Sequence, residues 1–572
     1  MSPSLPSLEQ LYLGLDLSTQ QLKCLAVTGS LSVTHEEIVT FDSDLPHYGT
    51  KKGVHMDSAL NEVTAPVAMW IEALDLTLSR MKRAGFEFER VRGVSGAGQQ
   101  HGSVFWSEEA EGVLGELDAK RGLVEQLVGE GEGREGVFTW DRSPNWQDHS
   151  TQAQCDAFEQ CVGGEEILAG ITGSKAHHRF TGPQILRFYQ RFPGRYERTS
   201  RISLVSSFLC SLFLGRIAPI DVSDVCGMNL WDMRSNSWSG ELLNLSAPDL
   251  RSRLGEVEMQ PGKHLGPVSG YFVERFGFRE ECVITPFTGD NPSTILALPL
   301  RPLDAIVSLG TSTTLLMATP TYVPSPSYHL FNHPTDRELY MFMLCYCNGA
   351  LARERIRDEI TSTSTPTSDP WGEFNEKALS TPPLGKRLKT DDAKLGIYFP
   401  VPEIVPNVGA GTWRYRISPT GDLKKVETFD SGIEARAIIE SQALSMRLRA
   451  NPLLSTSTPA QPRRVYLVGG GSKNPAIAEV LGQVLGGKEG VYRLDVGGNA
   501  CALGAAYYAA WAVEGRKRDG EEEGFGDFVA ERWEEGGRIV KVGEGYEEGV
   551  WEGYGDVLDA FEEVERRIGR EE

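Results

Sequence analysis

The chain of 572 residues carries 79 acidic and 57 basic side chains, which gives a formal net charge of -22 at pH 7. This length exceeds what one hydrophobic core usually supports, so it predicts two large domains. The negative charge argues against nucleic acid or an anionic membrane as a partner. We expect a monomer or homodimer that acts on small molecules.

The nine cysteines lie mostly in apolar runs, and their spacing predicts neither a zinc site nor a redox dithiol. Residues 1–10 lack the basic start and apolar stretch of a secretory signal. The longest apolar segment, residues 202–214, is too short to cross a bilayer and predicts a core helix. These features favour reduced thiols and a cytoplasmic location.

The first elements in chain order alternate between strand and helix patterns. Residues 11–40 have the pattern of strand, turn, strand and further strand. A helical pattern follows over residues 65–83, and a strand over residues 91–94 leads into a glycine-flanked loop at residues 95–102. This alternation predicts an α/β fold.

Four polar segments interrupt the pattern and are expected at the surface. Residues 109–136 are rich in Gly, Glu and Lys, whereas residues 361–369 and 453–462 are rich in Ser, Thr and Pro. The tail after residue 514 is acidic, and its charges are expected to be solvated. Within the tail, the amphipathic stretch 557–568 predicts a terminal helix.

Two small polar turns far apart in the sequence are its most informative feature. Residues 16–20 read Asp-Leu-Ser-Thr-Gln, and residues 308–313 read Ser-Leu-Gly-Thr-Ser-Thr. Apolar runs flank both, so each predicts a β-hairpin tip whose N–H groups and hydroxyls can form an anion site. Two such tips facing each other could hold a polyphosphate, which suggests a duplicated domain that closes on a nucleotide.

A third turn indicates the same class of ligand. The apolar run 465–468 leads into Gly469-Gly470-Gly471-Ser472 and then into a helical pattern over residues 476–485. Glycines at a strand-to-helix turn let the backbone lie against a planar ring or a phosphate. P-loop and Rossmann folds are disfavoured, because the sequence lacks their glycine motifs.

Carboxylates at predicted strand ends could carry phosphoryl-transfer chemistry, which usually needs a group that accepts the hydroxyl proton. Asp290 follows the apolar run 282–285 and is the candidate base, with an Asx turn or helix N-cap as the structural alternative. Asp16 could face Mg²⁺ directly or through water, or could be an ordinary turn residue. Lys23 could neutralise phosphate, or could be a solvated strand residue.

Two further side chains are candidates for sugar contacts. His101 lies on the glycine-flanked loop and could bond a sugar hydroxyl or carbonyl, although a single His is often structural. Arg179 precedes a predicted helix and could donate to vicinal oxygens, with an exposed arginine as the alternative.

Several motifs together resemble those of a known family. Between residue 11 and about residue 511, the chain resembles the FGGY carbohydrate kinases of the actin-like ATPase superfamily, and within them the xylulokinases of the fungal type. The motifs are residues 12–23 (YLGLDLSTQQLK), 99–103 (QQHGS), 145–150 (NWQDHS), 179–184 (RFTGPQ), 288–291 (TGDN), 308–314 (SLGTSTT) and 469–474 (GGGSKN).

The resemblance implies two ribonuclease-H-like lobes with a nucleotide cleft between them. Residues 1–288 would form the sugar-binding lobe, and residues 289–572 the nucleotide-binding lobe with the acidic tail. The implied reaction is ATP-dependent phosphorylation of D-xylulose to D-xylulose 5-phosphate in pentose catabolism, with Mg²⁺ and with Asp290 as general base.

The same resemblance implies roles for individual positions. The sugar-binding positions are His101, Arg179, Asp290 and Asn291. The ATP-binding positions are Ser18, Thr19, Gln20, Gly310, Thr311, Trp371, Gly470, Gly471 and Asn474. The metal position is Asp16, with contact through water.

Three positions depart from bacterial relatives. Ser18 stands where many have Gly, Ser150 where many have Arg, and Gln100 where xylulose kinases tend to have Met. The second departure raises the question of what binds Asp148. Two alternatives remain, namely an FGGY kinase for another ketose or polyol and a non-catalytic sugar- or nucleotide-sensing protein.

Overall fold

The computed structural model describes residues 9–128, 136–361, 369–455, 459–494, 497–515, 517–518, 521–533 and 539–570. The chain divides into two compact units. The first comprises Met1–Leu300, Leu330–Glu338 and Gly498–Glu534, and the second comprises Arg301–His329, Leu339–Gly497 and Glu535–Glu572. Parts of the predicted polar segments, among them residues 129–135, 362–368 and 456–458, lie outside the described residues.

The strands are numbered in chain order. They are β1 Leu11–Leu17, β2 Gln21–Thr28, β3 Val33–Thr40, β4 His55–Asp57, β5 Glu62–Pro66, β6 Val91–Gly98, β7 Ser103–Trp106, β8 Phe138–Trp140, β9 Arg142–Pro144, β10 Arg201–Leu204, β11 Ile220–Asp221, β12 Trp231–Asp232, β13 Ser237–Trp238, β14 Val257–Glu258, β15 Gly266–Pro267, β16 Val283–Ile284, β17 Thr288–Gly289, β18 Ala305–Leu309, β19 Thr313–Thr319, β20 His329–Asn332, β21 Tyr340–Tyr346, β22 Ala393–Phe399, β23 Glu403–Ile404, β24 Asn407–Val408, β25 Gly411–Ile417, β26 Leu423–Lys425, β27 Val465–Val468, β28 Val491–Leu494, β29 Lys517–Arg518, β30 Glu521–Glu522 and β31 Ile539–Gly543.

The α-helices follow the same numbering. They are α1 Phe41–Asp44, α2 Val67–Arg83, α3 Ala110–Gly115, α4 Leu123–Leu127, α5 Gln152–Val162, α6 Glu165–Thr172, α7 Thr181–Arg191, α8 Pro193–Arg198, α9 Val205–Leu214, α10 Gly240–Ser246, α11 Leu250–Leu254, α12 Gly270–Phe276, α13 Asp290–Ile295, α14 Ala350–Thr361, α15 Gly372–Ser380, α16 Ser431–Ala450, α17 Pro475–Leu485, α18 Ala500–Glu514, α19 Phe525–Arg532, α20 Val550–Gly555 and α21 Leu558–Ile568.

The first unit is built around a mixed sheet with the strand order β15-β16-β6-β1-β2-β3, to which β17 adds beside β6. β1 and β2 form the predicted hairpin, and β1 runs parallel to β6. Every residue of β1 is buried, and α18 packs against β1 and β6. The contact is close because Gly14 has no side chain; a Cβ there would lie 2.0 Å from the carbonyl oxygen of Ala502.

The second unit repeats this arrangement around its own sheet. Six of its strands have the order β21-β19-β18-β27-β28-β31. β18 and β19 form the second predicted hairpin, and β18 runs parallel to β27 as β1 does to β6. α16 packs against α14, α15 and α17.

Several predicted elements are confirmed with adjusted bounds. The helix predicted over residues 65–83 is α2, and the strand predicted over residues 91–94 continues to Gly98 as β6. The terminal helix predicted over residues 557–568 is α21. None of the described helices is long and apolar enough to span a bilayer.

Two predictions need correction. The helix predicted over residues 202–214 begins only at Val205, because the preceding residues form β10, which pairs with β7. The segment 109–136 is not only a surface insertion, since α3 and α4 place Leu114, Leu123 and Leu127 in the hydrophobic core. The sequence did not indicate this, because the two helices are short and charged residues surround their few apolar positions.

Candidate active site

The first unit gathers its polar motifs at one edge of the sheet. β1, β6 and β17 run parallel, with Ala97 of β6 paired to Asp16 on one side and to Thr288 on the other. Asp290 follows directly after β17, and the loop with Gln100 and His101 follows β6. The carboxyl ends of three neighbouring strands therefore bring Asp16, His101 and Asp290 to the same edge.

Asp290 is the first residue of α13, and Gly289 is the N-cap. The N-cap alternative is therefore wrong, although Asp290 Oδ1 does accept a hydrogen bond from the backbone N–H of Asn291, at 2.8 Å. Burial raises the pKa of Asp290 to about 7, and the negative charge of Asp16 adds to this shift. Near neutral pH, Asp290 can therefore exchange a proton.

Asp16 lies 3% exposed near the end of β1. Burial raises its pKa, while a hydrogen bond from Ser18 and the charge of Lys23 oppose the shift. Among the described residues, Asp16 Oδ1 has no hydrogen-bond partner. A buried carboxylate oxygen of this kind fits a cation or a water bound to one.

Lys23 is buried, so the solvated alternative is wrong. Its ammonium group donates to the carbonyl oxygen of Gly498, just before α18. Cys501 on α18 lies beside Asp290, since its Sγ is 3.4 Å from the Asp290 carbonyl oxygen and 3.2 Å from Thr294 Oγ1. α18 therefore forms one wall of the Asp16–Asp290 edge.

His101 adopts a left-handed backbone conformation with φ of 74°. Its Nδ1 lies 2.9 Å from the carbonyl oxygen of Gly227, and its ring stacks on Phe180 at 4.4 Å between centroids. Burial, together with the charge of Arg179, lowers the pKa of His101 to about 3. The ring is therefore neutral, and because Nδ1–H must donate to the Gly227 carbonyl, Nε2 is left as an acceptor for a hydroxyl.

Arg179 lies next to this ring. Its guanidinium carbon is 5.6 Å from the centroid of Phe180, and it is half-buried. Thr181, the first residue of α7, donates to the His101 carbonyl oxygen at 2.9 Å. The start of α7 therefore brings together two predicted sugar positions, His101 and Arg179.

A chain of hydrogen bonds links Asn291 to a buried acid that the sequence did not single out. Asn291 Nδ2 donates to Gln100 Oε1 at 2.9 Å, and Gln100 Nε2 lies 3.5 Å from Asp224 Oδ1. Burial raises the pKa of Asp224 to about 7, and the charges of Asp221 and Asp290 contribute. The only signal in the sequence was that Asp221 and Asp224 stand within an apolar stretch.

The motif at residues 145–150 contacts both the first turn and the loop after β6. Trp146 Nε1 donates to Thr19 Oγ1 at 2.8 Å, and Asn145 Nδ2 donates to Gln99 Oε1 at 2.6 Å. Asp148 accepts from neutral donors, which are the Val63 and Ser150 backbone N–H groups, Ser150 Oγ and Gln184 Nε2. Ser150 thus binds Asp148 at the position where the sequence departs from many bacterial relatives.

The second unit places its two predicted phosphate turns side by side. β18 and β27 pair in parallel, so the tip with Gly310 and Thr311 and the turn that starts at Gly469 leave the same edge. A Cβ at Gly471 would lie 2.9 Å from Leu309 Cβ, whereas one at Gly470 would meet nothing within 4 Å. Gly471 is therefore required for packing, while Gly470 borders open space.

Asn474 and the start of α14 complete this edge. Asn474 is the N-cap of α17, and its side chain accepts from the Ile477 N–H at 3.0 Å. The N–H of Ala350 donates to the Gly310 carbonyl oxygen at 3.0 Å. Both contacts hold the turns in fixed positions.

Family models match two segments of the chain. The C-terminal domain of the FGGY family of carbohydrate kinases matches residues 305–513, and the N-terminal domain of the same family matches residues 141–297. A protein named Probable D-xylulose kinase A, from Aspergillus clavatus, is 54% identical over 575 residues and 98% of each chain. The chain belongs to the FGGY family of carbohydrate kinases. D-xylulose kinase A of Aspergillus niger is 53% identical over 98% of this chain and 99% of its own length.

Solved structures share the FGGY fold at low sequence identity. Xylulose kinase from Rhodospirillum rubrum matches with a TM-score of 0.73 at 16% identity, over 98% of this chain and 99% of that one. Plasmodium falciparum glycerol kinase with ADP matches with a TM-score of 0.70 at 13% identity, over 98% of both chains. The prediction of an α/β fold with two actin-like, ribonuclease-H-like lobes is confirmed.

Trp371 belongs to the second unit of this FGGY chain. It is the N-cap residue of α15, where its ring lies 4.6 Å from the guanidinium carbon of Arg357 and 5.3 Å from the ring of Phe374. α15 packs against α17, the helix that follows the glycine turn. Its role in nucleotide binding stays a prediction.

Proposed function

We propose that the protein transfers the γ-phosphoryl group of ATP to D-xylulose, giving D-xylulose 5-phosphate in pentose catabolism. The relatives named D-xylulose kinase A, at 53% and 54% identity over 98% of the chain, support this substrate. The observation that carries the chemistry is the pair of carboxylates, Asp16 and Asp290, at one sheet edge beside His101. We also propose that the protein is a cytoplasmic monomer or homodimer. We propose no nucleic-acid or membrane partner, because the net charge of -22 disfavours binding to either.

The two lobes are proposed to have different ligands. His101, Arg179, Asp290 and Asn291 would hold the sugar in the first compact unit, which includes Met1–Leu300. The turns of the second lobe and the tip at residues 18–20 would be the positions that bind ATP.

Asp290 is proposed to orient the 5-hydroxyl of the sugar and accept its proton as the new O–P bond forms and ADP leaves. A proton acceptor is most effective when its pKa lies near the working pH, and that of Asp290 is about 7. His101 Nε2 would accept a hydrogen bond from a second hydroxyl, and Arg179 would donate to sugar oxygens. Positioning of this kind supplies much of the acceleration in phosphoryl transfer.

The carboxylates also fit Mg²⁺. This ion takes one or two carboxylates and keeps several waters, and Asp16 offers a buried oxygen without a hydrogen-bond partner among the described residues. Groups of three or more His, Cys, Asp or Glu that could hold a metal are absent from that part of the chain. Asp16 would therefore hold Mg²⁺ through water, and the ion would neutralise charge on the phosphates.

The test is ADP release by purified protein with ATP and Mg²⁺ on D-xylulose, D-ribulose, glycerol and gluconate, with a sugar-free control. We expect turnover on D-xylulose at least ten times that on the other compounds. Preferred turnover on another sugar would contradict the substrate. Sugar and ATP binding without turnover would favour the non-catalytic alternative.

A further inference from the structure

Arg353 is a buried cation at the base of the glycine turns in the second lobe. It lies on α14, three residues after Ala350, whose N–H bonds the Gly310 carbonyl oxygen. The side chain is 2% exposed. Its Nη2 would lie 3.6 Å from a Cβ built at Gly471, so the guanidinium lies next to the glycine turn.

The guanidinium is held from one side by a neutral group. Its Nη1 donates to Gln442 Oε1 at 2.6 Å. Gln442 is itself fixed, because its Nε2 donates to the carbonyl oxygens of Asn348 at 2.8 Å and of Gly349 at 3.1 Å. Within the described part of the chain, Arg353 Nη2 has no hydrogen-bond partner.

Two other buried arginines of the same lobe are paired with carboxylates. Arg436 lies 2.7 Å from Glu440, and Arg449 lies 2.9 Å from Glu565. The charge of Glu354, the next residue on the helix, opposes the effect of burial on Arg353, yet burial still lowers the pKa of Arg353 to about 10. The side chain is therefore charged at neutral pH, and among the residues that the structure describes it has no counter-charge as close as those of Arg436 and Arg449.

A buried charge without a partner is unfavourable, and an anion bound nearby removes much of that cost. We propose that Arg353 is a positioning residue that supplies the counter-charge for the nucleotide phosphates at the Gly310 and Gly471 turns. This inference rests on the proposed function and adds to it the cation that draws the phosphates onto the second lobe. In the free protein Glu354 compensates this charge only in part, and nucleotide binding adds the missing counter-charge.

The test compares Arg353→Met, which keeps the length of the side chain without the charge, with Arg353→Lys. The control is Arg447→Met. Arg447 is also buried and also has a pKa lowered to about 10 by burial, but it donates to the carbonyl oxygens of Val484 and Trp551 and lies over the Trp551 ring at 4.0 Å. Binding of ADP, pyrophosphate and D-xylulose is measured separately by calorimetry, and Tm is measured without ligand.

We expect Arg353→Met to weaken ADP and pyrophosphate binding by about tenfold or more, as for loss of a charged partner, with D-xylulose binding unchanged. Its Tm without ligand should stay within a few degrees of wild type, because an unfavourable buried charge is removed. Arg353→Lys should restore most of the affinity. Arg447→Met should lower Tm and leave ADP affinity unchanged.

ADP affinity within twofold of wild type in Arg353→Met would overturn the inference while leaving the proposed kinase function intact. Collapse of the unliganded Arg353→Met protein would also contradict it, because it would show a structural role. Failure of the wild-type protein to bind ADP or pyrophosphate would instead contradict the proposed function and this inference with it.

Discussion

The negative charge of Asp16 raises the pKa of Asp290, on top of the larger effect of burial. The two residues are 274 positions apart in the sequence, but Ala97 and Gly98 of β6 pair with β1 on one side and with β17 on the other. The strand register therefore couples the candidate metal position to the candidate base.

The first prediction concerns the pH dependence of catalysis. Because the base must be ionised and its pKa is about 7, kcat/KM for the sugar should rise with pH and level off above that value. In Asp16→Asn the like charge is lost, so the carboxyl pKa of Asp290 should fall. Infrared titration of Asp16→Asn measures the pKa of Asp290, and the Asp16→Asn/Asp290→Asn double variant is the reference. A pKa equal to that of wild type would contradict the coupling.

The second prediction concerns stability and the buried acid Asp224. Its folded-state pKa is about 7, above its unfolded value of about 4. The folded state therefore holds a proton that the unfolded chain releases, and the resulting stabilisation is lost as pH rises from about 4 through 7.

Asp224→Asn keeps the neutral form at every pH. Relative to wild type, its free energy of unfolding should therefore increase between pH 5 and pH 8, by roughly 1 kcal/mol or more. Denaturant unfolding at both pH values measures the difference. A constant difference across this range would show that Asp224 titrates normally.

The third prediction concerns His101. Burial lowers the pKa of His101 to about 3. Any inflection of the KM for D-xylulose near the usual histidine pKa should therefore remain in His101→Gln. His101→Ala should raise this KM by about tenfold or more, because a hydrogen bond to the sugar is lost, and leave the KM for ATP unchanged. Equal rises in both KM values would point to a disturbed fold instead.

The fourth prediction uses two neighbouring glycines as a matched pair. A Cβ at Gly470 meets nothing within 4 Å, whereas one at Gly471 lies 2.9 Å from Leu309 Cβ. Gly470→Ala should therefore keep the wild-type Tm and raise the KM for ATP, and Gly471→Ala should lower Tm by several degrees. Thermal melting and ATP titrations test both, and the reverse pattern would show that no phosphate approaches Gly470.

The two hairpins and the glycine turn were predictable from the sequence because local patterns determine them. Small polar residues between apolar runs give β1–β2 and β18–β19, and glycines after an apolar run give the start of α17. The edge positions of Asp16 and Asp290 followed from strand ends in the same way.

The remaining parts of the site depend on contacts between distant segments. Cys501 reaches Asp290 because the chain returns to the first unit as α18, after β28 of the second unit. Asp224 meets Gln100 across 124 residues, and Lys23 meets Gly498 across 475 residues. Local sequence periodicity does not indicate contacts between such distant residues. The role of Lys23 therefore stayed ambiguous at the level of the sequence, and Asp224 and Cys501 were not predicted as site residues.

The most direct test of the account is turnover by Asp290→Asn, which keeps the shape of the side chain and removes the proton acceptor. ADP release with D-xylulose and binding of each ligand should be measured on one preparation. We predict that turnover falls by roughly 100-fold or more while the dissociation constants for ATP and D-xylulose stay within about tenfold of wild type. Turnover near the wild-type rate would show that Asp290 is not the base and would contradict the account.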